Sequence, residues 1–261
     1  MTYLLQIRGL MKRFDGLTAL RWVDLDVPEH TIYSLIGPNG AGKTTLFDCI
    51  HGVYLPDEGE IDFRGHSLIG LSTDQVARRG IARTYQTVRL FDGMTVLEQV
   101  LVGMHGRMRT GVIGALLRTW ASRREERKAI DYARQLLDLA RLSDLDEQFP
   151  QILPHAAQRR LEIVRALASE PALLLLDEPV AGVDESETEE MISLIRRIRD
   201  DLGATILLVE HDMSVVTSIS DFVAVLDYGQ KVADGRPQEV QEDPRTIEAF
   251  LGGSPDLQFR L

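Results

Sequence analysis

The stretch GPNGAGKTT, residues 37–45, carries glycine, lysine and threonine at spacings that suit the binding of phosphate groups. It fits the pattern G-x-x-x-x-G-K-[ST], follows a predicted buried strand and opens a predicted helix. Gly37, Gly40 and Gly42 let backbone N–H groups surround phosphates without a Cβ in the way. Lys43 can reach the terminal phosphates, and the helix dipole favours an anion there. The alternative interpretation is a glycine-rich turn with a surface lysine, which the strand–loop–helix context disfavours.

Two neighbouring acids, Asp177 and Glu178, follow the apolar run ALLLL at 172–176. Asp177 is placed to hold Mg²⁺ through water, and Thr44 of the phosphate loop offers its hydroxyl as a ligand. Glu178 is placed to orient or deprotonate an attacking water. Paired acids after a strand are otherwise ordinary loop residues, so the catalytic interpretation depends on their coupling to the phosphate loop.

His211 and Gln86 are two further candidates. His211 follows the apolar strand run TILLV, and residues at the carboxyl ends of neighbouring parallel strands converge. We therefore predict a contact between His211 and the γ-phosphate, with a purely structural histidine as the alternative. Gln86 follows the short run IARTY, where its side chain could reach Mg²⁺ and the attacking water. By itself, Gln86 would be read as a surface residue.

The elements that must position these side chains can be read from periodicity. Beyond residue 158, helices and strands alternate, which indicates a parallel sheet covered on both faces. Near the N-terminus, RWVDLDV alternates apolar and acidic residues, as expected of antiparallel strands with one wet face. The predicted later elements are helix 158–169, strand 172–176, helix 186–201, strand 205–209 and strand 222–226. Capping boxes predict three helix starts, at Ser72 with Gln75, Thr95 with Glu98, and Ser186 with Glu189.

Composition narrows the class of protein. The net charge of −11 argues against a broad nucleic-acid-binding surface, so we expect no nucleic-acid partner. Cys49 is the only cysteine, which suits a reducing cytosol. No apolar run approaches the ~20 residues that cross a bilayer. A basic cluster between His105 and Lys128 is either a solvated helical face or a contact with lipid headgroups or a membrane-embedded partner.

The order of these motifs resembles the nucleotide-binding subunit of an ABC transporter, over nearly the whole chain. The resemblance implies an ATPase that uses ATP and Mg²⁺. Phe14 stands where the family stacks an aromatic ring on adenine, and a packed core phenylalanine is the alternative. By matching position, the family motifs are Walker A at 37–45, the Q-loop at Gln86, Walker B at Asp177, the catalytic glutamate at Glu178, the D-loop at 181–184 and the H-loop at His211. The implied nucleotide contacts are Phe14, Gly37, Asn39, Gly40, Ala41, Gly42, Lys43, Thr44 and Thr45, and the implied metal ligands are Thr44, Gln86 and Asp177.

The resemblance also implies a fold and an assembly. The fold is α/β, a P-loop NTPase of the ABC ATPase type with a mixed sheet, N-terminal antiparallel strands and a helical subdomain inserted in a single domain. The implied parts are a core at about 1–86 and 158–227, a helical insertion at about 87–157 and a C-terminal extension at about 228–261. Segments 83–103, 107–119 and 225–240 are similar to importers of branched-chain amino acids. The implied partners are a second ATPase subunit (different, or a second copy), two membrane permeases and a periplasmic or extracellular binding protein, with the chain cytoplasmic and peripheral on the inner face of the membrane.

One segment departs from the family pattern. LPHAAQRRLEIVRAL, at 153–167, occupies the place of the ABC signature, where a serine hydroxyl and glycine N–H groups bind the γ-phosphate held by the other subunit. Ala156 and Ala157 replace the usual glycine and glutamine. We expect a Cβ there either to block the phosphate or to need a positive φ. A hydrolysis-impaired, regulatory ABC subunit is therefore one alternative. A soluble P-loop kinase would need an acceptor site, and a DNA-repair ATPase would need coiled coils or a basic surface.

Overall fold

The computed structural model describes residues 2–106 and 120–251. The strands are β1 (Tyr3–Phe14), β2 (Leu17–Pro28), β3 (Ile32–Ile36), β4 (Glu58–Phe63), β5 (His66–Ser67), β6 (Ile81–Arg83), β7 (Leu173–Asp177), β8 (Thr205–Val209), β9 (Phe222–Asp227) and β10 (Gln230–Gly235). The helices are α1 (Lys43–Ile50), α2 (Thr73–Arg78), α3 (Val96–Gly103), α4 (Trp120–Leu139), α5 (His155–Leu167), α6 (Glu185–Leu202), α7 (Met213–Ile219), α8 (Pro237–Glu242) and α9 (Pro244–Leu251). Short 3₁₀ turns span Ser143–Leu145 and Pro150–Ile152.

The larger sheet positions the candidate site. Its strand order is β10-β9-β3-β8-β7-β6, and every neighbouring pair is parallel except β10 with β9. The carboxyl ends of β3, β7 and β8 therefore meet at one edge, from which the phosphate loop, the acid pair and the His211 loop all leave. The predicted mixed α/β sheet is confirmed.

Both faces of the central strands are buried, which explains their continuous apolar runs. On β7, Leu173 and Leu175 pack toward α1 and the second sheet, whereas Leu174 and Leu176 pack toward α5 and α6. The second sheet is antiparallel, in the order β2-β1-β4-β5. It extends the predicted N-terminal strands by β4 and β5, which the sequence analysis did not identify.

The helical segment shares its core with the larger sheet. Val100 of α3, Ala133 and Leu137 of α4, and Leu161 of α5 belong to the same buried cluster as Leu174. Within the described ranges, no helix is long and apolar enough to cross a membrane.

Two boundary predictions are wrong. Helix α6 begins after Asp184, whose carboxylate accepts from Glu187 N at 2.9 Å; Ser186 lies in the first turn and only donates to Asp184. The capping box is therefore Asp184 with Glu187, not Ser186 with Glu189. An aspartate two residues earlier competes successfully for the cap position because it is equally suited to it. Helix α5 begins at His155 and ends at Leu167 rather than spanning 158–169. The boxes at Ser72 and Thr95 are present as predicted.

Candidate nucleotide site

The glycines of the phosphate loop serve different purposes. A Cβ on Gly37 would lie 2.0 Å from Leu226 O, and a Cβ on Gly42 would lie 2.6 Å from Ala19 O. These two glycines let the loop pack against its own protein. A Cβ on Gly40 would meet nothing within 4 Å, and its φ is +80°. Glycine is therefore required at position 40 because the backbone there is left-handed. The open side of Gly40 faces the space in which a ligand would lie.

Lys43 is held by its own loop. Its Nζ donates to Gly37 O at 2.6 Å and to Pro38 O at 3.0 Å, and the residue is buried. Burial lowers the pKa of the Lys43 ammonium, while the charges of Glu178 and Asp177 oppose that change. The ammonium is therefore poised beside the loop, with two carboxylates nearby but no direct ion pair to either in the described structure.

A buried arginine, which the sequence analysis missed, organises the side of the site on which Asp177 lies. Arg83, at the end of β6, contacts Asp48 of α1 at 2.6 Å and Asp177 at 3.4 Å. Its guanidinium also lies over the rings of Phe47 and Tyr85. Burial raises the pKa of Asp177, and the Arg83 charge opposes this by favouring the ionised carboxylate. Arg83 thus ties the phosphate-loop helix to the acid that ends β7.

The three predicted catalytic side chains lie together. Gln86 Nε2 donates to Glu178 Oε2 at 3.0 Å, and His211 Nδ1 is 3.9 Å from Glu178 Oε1. Glu178 has φ of +48°, and its N–H donates to Val209 O at 2.9 Å. A glutamate in this region costs on the order of 1 kcal/mol, and such strain is concentrated at functional sites. The turn directs the carboxylate toward Gln86 and His211.

Glu210 is a second missed residue. Its side chain is fully buried, and its two carboxylate oxygens accept from Val180 N and from His211 N, each at 3.2 Å. Burial raises the pKa of this carboxyl, while those backbone N–H groups oppose the rise. Glu210 joins the loop after β7 to the loop after β8. Its sequence signal was only a charged residue at the end of an apolar strand.

A cleft of about 430 Å³ opens over the phosphate loop. Phe14, Asn39, residues 40–45, Gln86 and Glu178 all line it. The predicted residues Gly37, Asp177 and His211 do not line this cleft. Gly37 and His211 contact the lining residues Lys43 and Glu178, and Asp177 directly precedes Glu178 in the chain. Residues missed by the sequence analysis also line it, namely Leu17, Thr18, Ala19, Arg21 and Tyr228.

The oxygen donors present suit Mg²⁺. Thr44 offers a hydroxyl, Asp177 a carboxylate and Gln86 an amide carbonyl, which are the hard ligands that this ion prefers. Thr44 is exposed in the cleft, and Asp177 is oriented by Arg83. These groups are too few to surround the ion, so phosphate oxygens and water would complete its shell.

The segment at the start of α5 differs from what its alanines led us to expect. Ala156 and Ala157 are helical, are absent from the positive-φ residues of the described chain, and are only 2% and 4% exposed. The expectation that their Cβ atoms would obstruct a phosphate or force a positive φ is wrong, because both methyl groups pack inward. Pro154 and His155 face outward instead.

Arg159 of α5 reaches back to the segment that carries Gln86. Its guanidinium donates to Tyr85 O at 2.8 Å and to Gln86 O, and the residue is buried. The same helix is tied to α6 by Arg160, which contacts Glu190. Helix α5 therefore contacts both the Gln86 segment and α6.

Comparisons of sequence and of structure with known proteins all identify ABC transporter ATP-binding proteins as similar to this chain. The family model described as ABC transporter matches residues 20–181. The chain is 43% identical, over 95% of its length and 98% of the relative, to the high-affinity branched-chain amino acid transport ATP-binding protein BraF of Pseudomonas aeruginosa. It is 44% identical, at the same coverage, to LivG of Escherichia coli, which carries the same description. Among solved structures, an ATP-binding cassette of an ABC transporter in its ADP conformation aligns with a TM-score of 0.84 and 29% identity, covering 97% of this chain and all of that one.

Proposed function

Because the chain belongs to the ABC transporter family, as an ATP-binding subunit, we propose that it couples Mg-ATP hydrolysis to the uptake of branched-chain or similar amino acids. The observation that carries the proposal is the convergence of Gln86, Glu178 and His211 beside the phosphate loop. The substrate class is supported by the likeness, over nearly the whole chain, to relatives described as branched-chain amino acid transport proteins.

Phosphate binding follows from the loop and from α1. The N–H groups of the loop and the N-terminus of α1 supply partial positive charge to a bound anion. Lys43 then exchanges its contacts with Gly37 O and Pro38 O for terminal phosphate oxygens, which gives charge-assisted hydrogen bonds. Phe14 contacts the adenine end of the cleft. Mg²⁺, held by Thr44, Asp177 and Gln86, would supply positive charge against the phosphates.

Hydrolysis needs a water molecule that is oriented and loses a proton. Glu178 accepts that proton, and Gln86 Nε2 holds the carboxylate in place through its hydrogen bond. His211 donates a hydrogen bond toward the γ-phosphate, and the backbone bond from His211 N to Glu210 fixes its loop. The reaction is thus attack of water on the γ-phosphorus, which breaks its bond to the bridging oxygen and releases ADP and phosphate, assisted by groups from three separate loops.

The proposed assembly contains two ATPase subunits, as the family resemblance implies. Pro154 and His155, at the start of α5, are exposed. Two ATPase subunits would place α5 of one across from the phosphate loop of the other. The segment from Gln86 through the helical insertion would contact the two permeases, with a binding protein delivering the solute. In this proposed assembly the chain is cytoplasmic and peripheral on the inner face of the membrane.

The hydrolysis-impaired alternative gains no support. It depended on Ala156 and Ala157 projecting into the γ-phosphate space, and both methyl groups are buried within their own subunit. The relatives are transport ATP-binding proteins rather than regulators.

Uptake measurements test the proposal directly. In cells whose only copy carries Glu178→Gln, uptake of radiolabelled leucine, isoleucine and valine should fall to background, while uptake of an unrelated solute continues. The matched control is Glu242→Gln, at an exposed glutamate of α8 far from the cleft. Unchanged uptake of all three amino acids in the Glu178→Gln strain would contradict the proposed substrate class. Permeases and an ATPase partner should co-purify with the tagged chain from membranes.

A further inference from the structure

Three tight hairpins among the described residues use the same kind of turn, and one of them carries an aromatic residue at its first position. Asp15-Gly16, Arg64-Gly65 and Tyr228-Gly229 each join two strands through two residues that both have positive φ. Turns of this kind favour Asn-Gly or Asp-Gly, because few side chains tolerate the first position. Tyr228, with φ of +43°, is a bulky residue in a conformation that such residues rarely adopt. Its ring is therefore retained at a conformational cost.

The turn at Tyr228 is anchored to the phosphate loop. Gly229 N donates to Ala41 O at 3.0 Å, and Arg21 N donates to Gly229 O at 2.8 Å. A Cβ on Gly229 would lie 2.5 Å from Ala19 O, so the turn sits directly against β2. These contacts fix the Tyr228 backbone relative to the residues that surround phosphates.

The Tyr228 ring is free to receive a ligand. It is 73% exposed, lines the same cleft as Lys43 and Phe14, and stacks on no aromatic ring of the described residues. A large aromatic surface left in water beside a ligand cleft is the kind of surface that binding would cover.

The Phe14 ring is already partly covered by its own protein, so a second aromatic residue could add to the contact with a bound nucleoside. The ammonium of Lys12 lies 5.2 Å from the centroid of the Phe14 ring, and the ring of Tyr54 packs against it edge-on at 5.0 Å. Part of the Phe14 surface is therefore occupied by its own protein. A nucleoside in the cleft needs further apolar contact, and Tyr228 is the other aromatic residue lining it.

We propose that Tyr228 packs its ring against the nucleoside portion of bound ATP, as a second aromatic contact besides Phe14. The inference rests on the ATP-binding function stated above. The Tyr228-Gly229 turn is strained and is anchored to Ala41. The backbone of Tyr228 is therefore preorganised, so that ordering its ring on binding costs little entropy. Tyr228 is thus a nucleotide-binding residue that the family motifs do not include.

The test separates the ring from the turn. Tyr228→Asn removes the ring and keeps a residue suited to positive φ, while Tyr228→Phe keeps the ring and removes the hydroxyl. Trp22→Asn is the matched control, since Trp22 is also an exposed aromatic with positive φ (64% exposed, φ +49°) but does not line the cleft. Calorimetric titration with Mg-ADP measures nucleoside and phosphate contacts together. Competition by inorganic pyrophosphate measures phosphate contacts alone.

We expect Tyr228→Asn to weaken ADP binding about three- to tenfold, the range of a lost aromatic contact, with pyrophosphate binding unchanged. Tyr228→Phe and Trp22→Asn should both bind ADP as the parent does. Parent-like ADP affinity in Tyr228→Asn, or an equal loss for pyrophosphate in a variant with an unchanged melting temperature, would overturn the contact. A parent chain that binds no ADP would instead refute the ATP-binding function on which the contact depends.

Discussion

The phosphate loop leads into the N-terminus of α1, and residues 153–157 include the N-terminus of α5, yet the two regions are built in opposite ways. The loop uses glycines with positive φ, and its lysine folds onto its own carbonyls. The start of α5 has no glycine: Pro154 caps it without a side-chain hydrogen bond, and its alanine methyl groups are buried. The loop packs against residues of its own chain and opens into the cleft at Gly40, whereas the start of α5 exposes Pro154 and His155. The first region is shaped for a ligand bound by this subunit, and we propose that the second contacts another subunit.

The largest expected loss of ATP affinity comes from a substitution at the lysine that ends the phosphate loop. Lys43→Ala removes the ammonium that donates to Gly37 O and Pro38 O and that we propose binds phosphate oxygens instead when ATP is bound. Charge-assisted hydrogen bonds of this kind contribute ~1.5–3 kcal/mol each, so ATP affinity should fall on the order of 10³-fold. Titration calorimetry with the isolated chain measures this, and Lys128→Ala, at an exposed lysine of α4, is the control. An affinity within threefold of the parent would remove the distinction between the two regions.

The next largest effect separates nucleotide binding from ATP hydrolysis at the phosphate-loop site. Glu178→Gln keeps the shape and the hydrogen bond from Gln86 but removes the proton acceptor. Turnover of the assembled ATPase should fall ~10²-fold or more, as for the loss of a general base, with nucleotide affinity nearly unchanged. Steady-state ATPase assays and ADP titration together decide this. Turnover at the parent rate would show that Glu178 is not the base.

Lowering the pH should reduce the stability of the folded chain through His51, which lies just after the helix that follows the phosphate loop. His51 follows α1, and burial, helped by the Arg83 charge, lowers its pKa to about 4 from the ordinary 6.5. The unfolded chain therefore binds a proton in this window that the folded chain does not, so stability falls as the pH drops from 6.5 toward 4. The loss attributable to His51 should reach roughly 2–3 kcal/mol in this range.

Urea unfolding at several pH values checks this expectation. The parent should lose more stability between pH 6.5 and pH 4 than His51→Asn, which cannot take up the proton. Parallel pH profiles for the two proteins would show that His51 is not buried in its neutral form.

The smallest effect tests the α5 side. Ala156→Gly deletes a buried methyl group and loosens the first turn of the helix, which should cost ~1–2 kcal/mol of unfolding free energy. Because that methyl group faces inward, the change should give no gain in the ATPase rate of the assembled transporter. A severalfold gain would mean that the methyl group obstructs the phosphate after all, and that the two regions are less different than their structures indicate.

The parts of this fold that the sequence predicts are those whose signals are local. The strand–loop–helix at 31–50 and the apolar strands ending at Asp177 and Val209 carry their periodicity and turn residues within a few positions. Arg83 and Glu210 were missed because each has a partner far along the chain, Asp177 and Val180 respectively. Tyr228 was missed because its place in the cleft depends on the bond from its neighbour Gly229 to Ala41 O. The inward packing of Ala156 could not be anticipated either, since it depends on which face of α5 meets the core.

The hydrogen bonds from Arg159 to Tyr85 O and Gln86 O also limit how many parts of the molecule can move independently. Helix α5 cannot rotate away from the Gln86 segment without breaking both of these hydrogen bonds from a buried guanidinium, and hydrogen bonds of charged groups contribute ~1.5–3 kcal/mol each. The two segments are 73 residues apart along the chain, and we expect them to move together. A displacement of α5 should therefore reach Gln86, whose side chain donates a hydrogen bond to the Glu178 carboxylate.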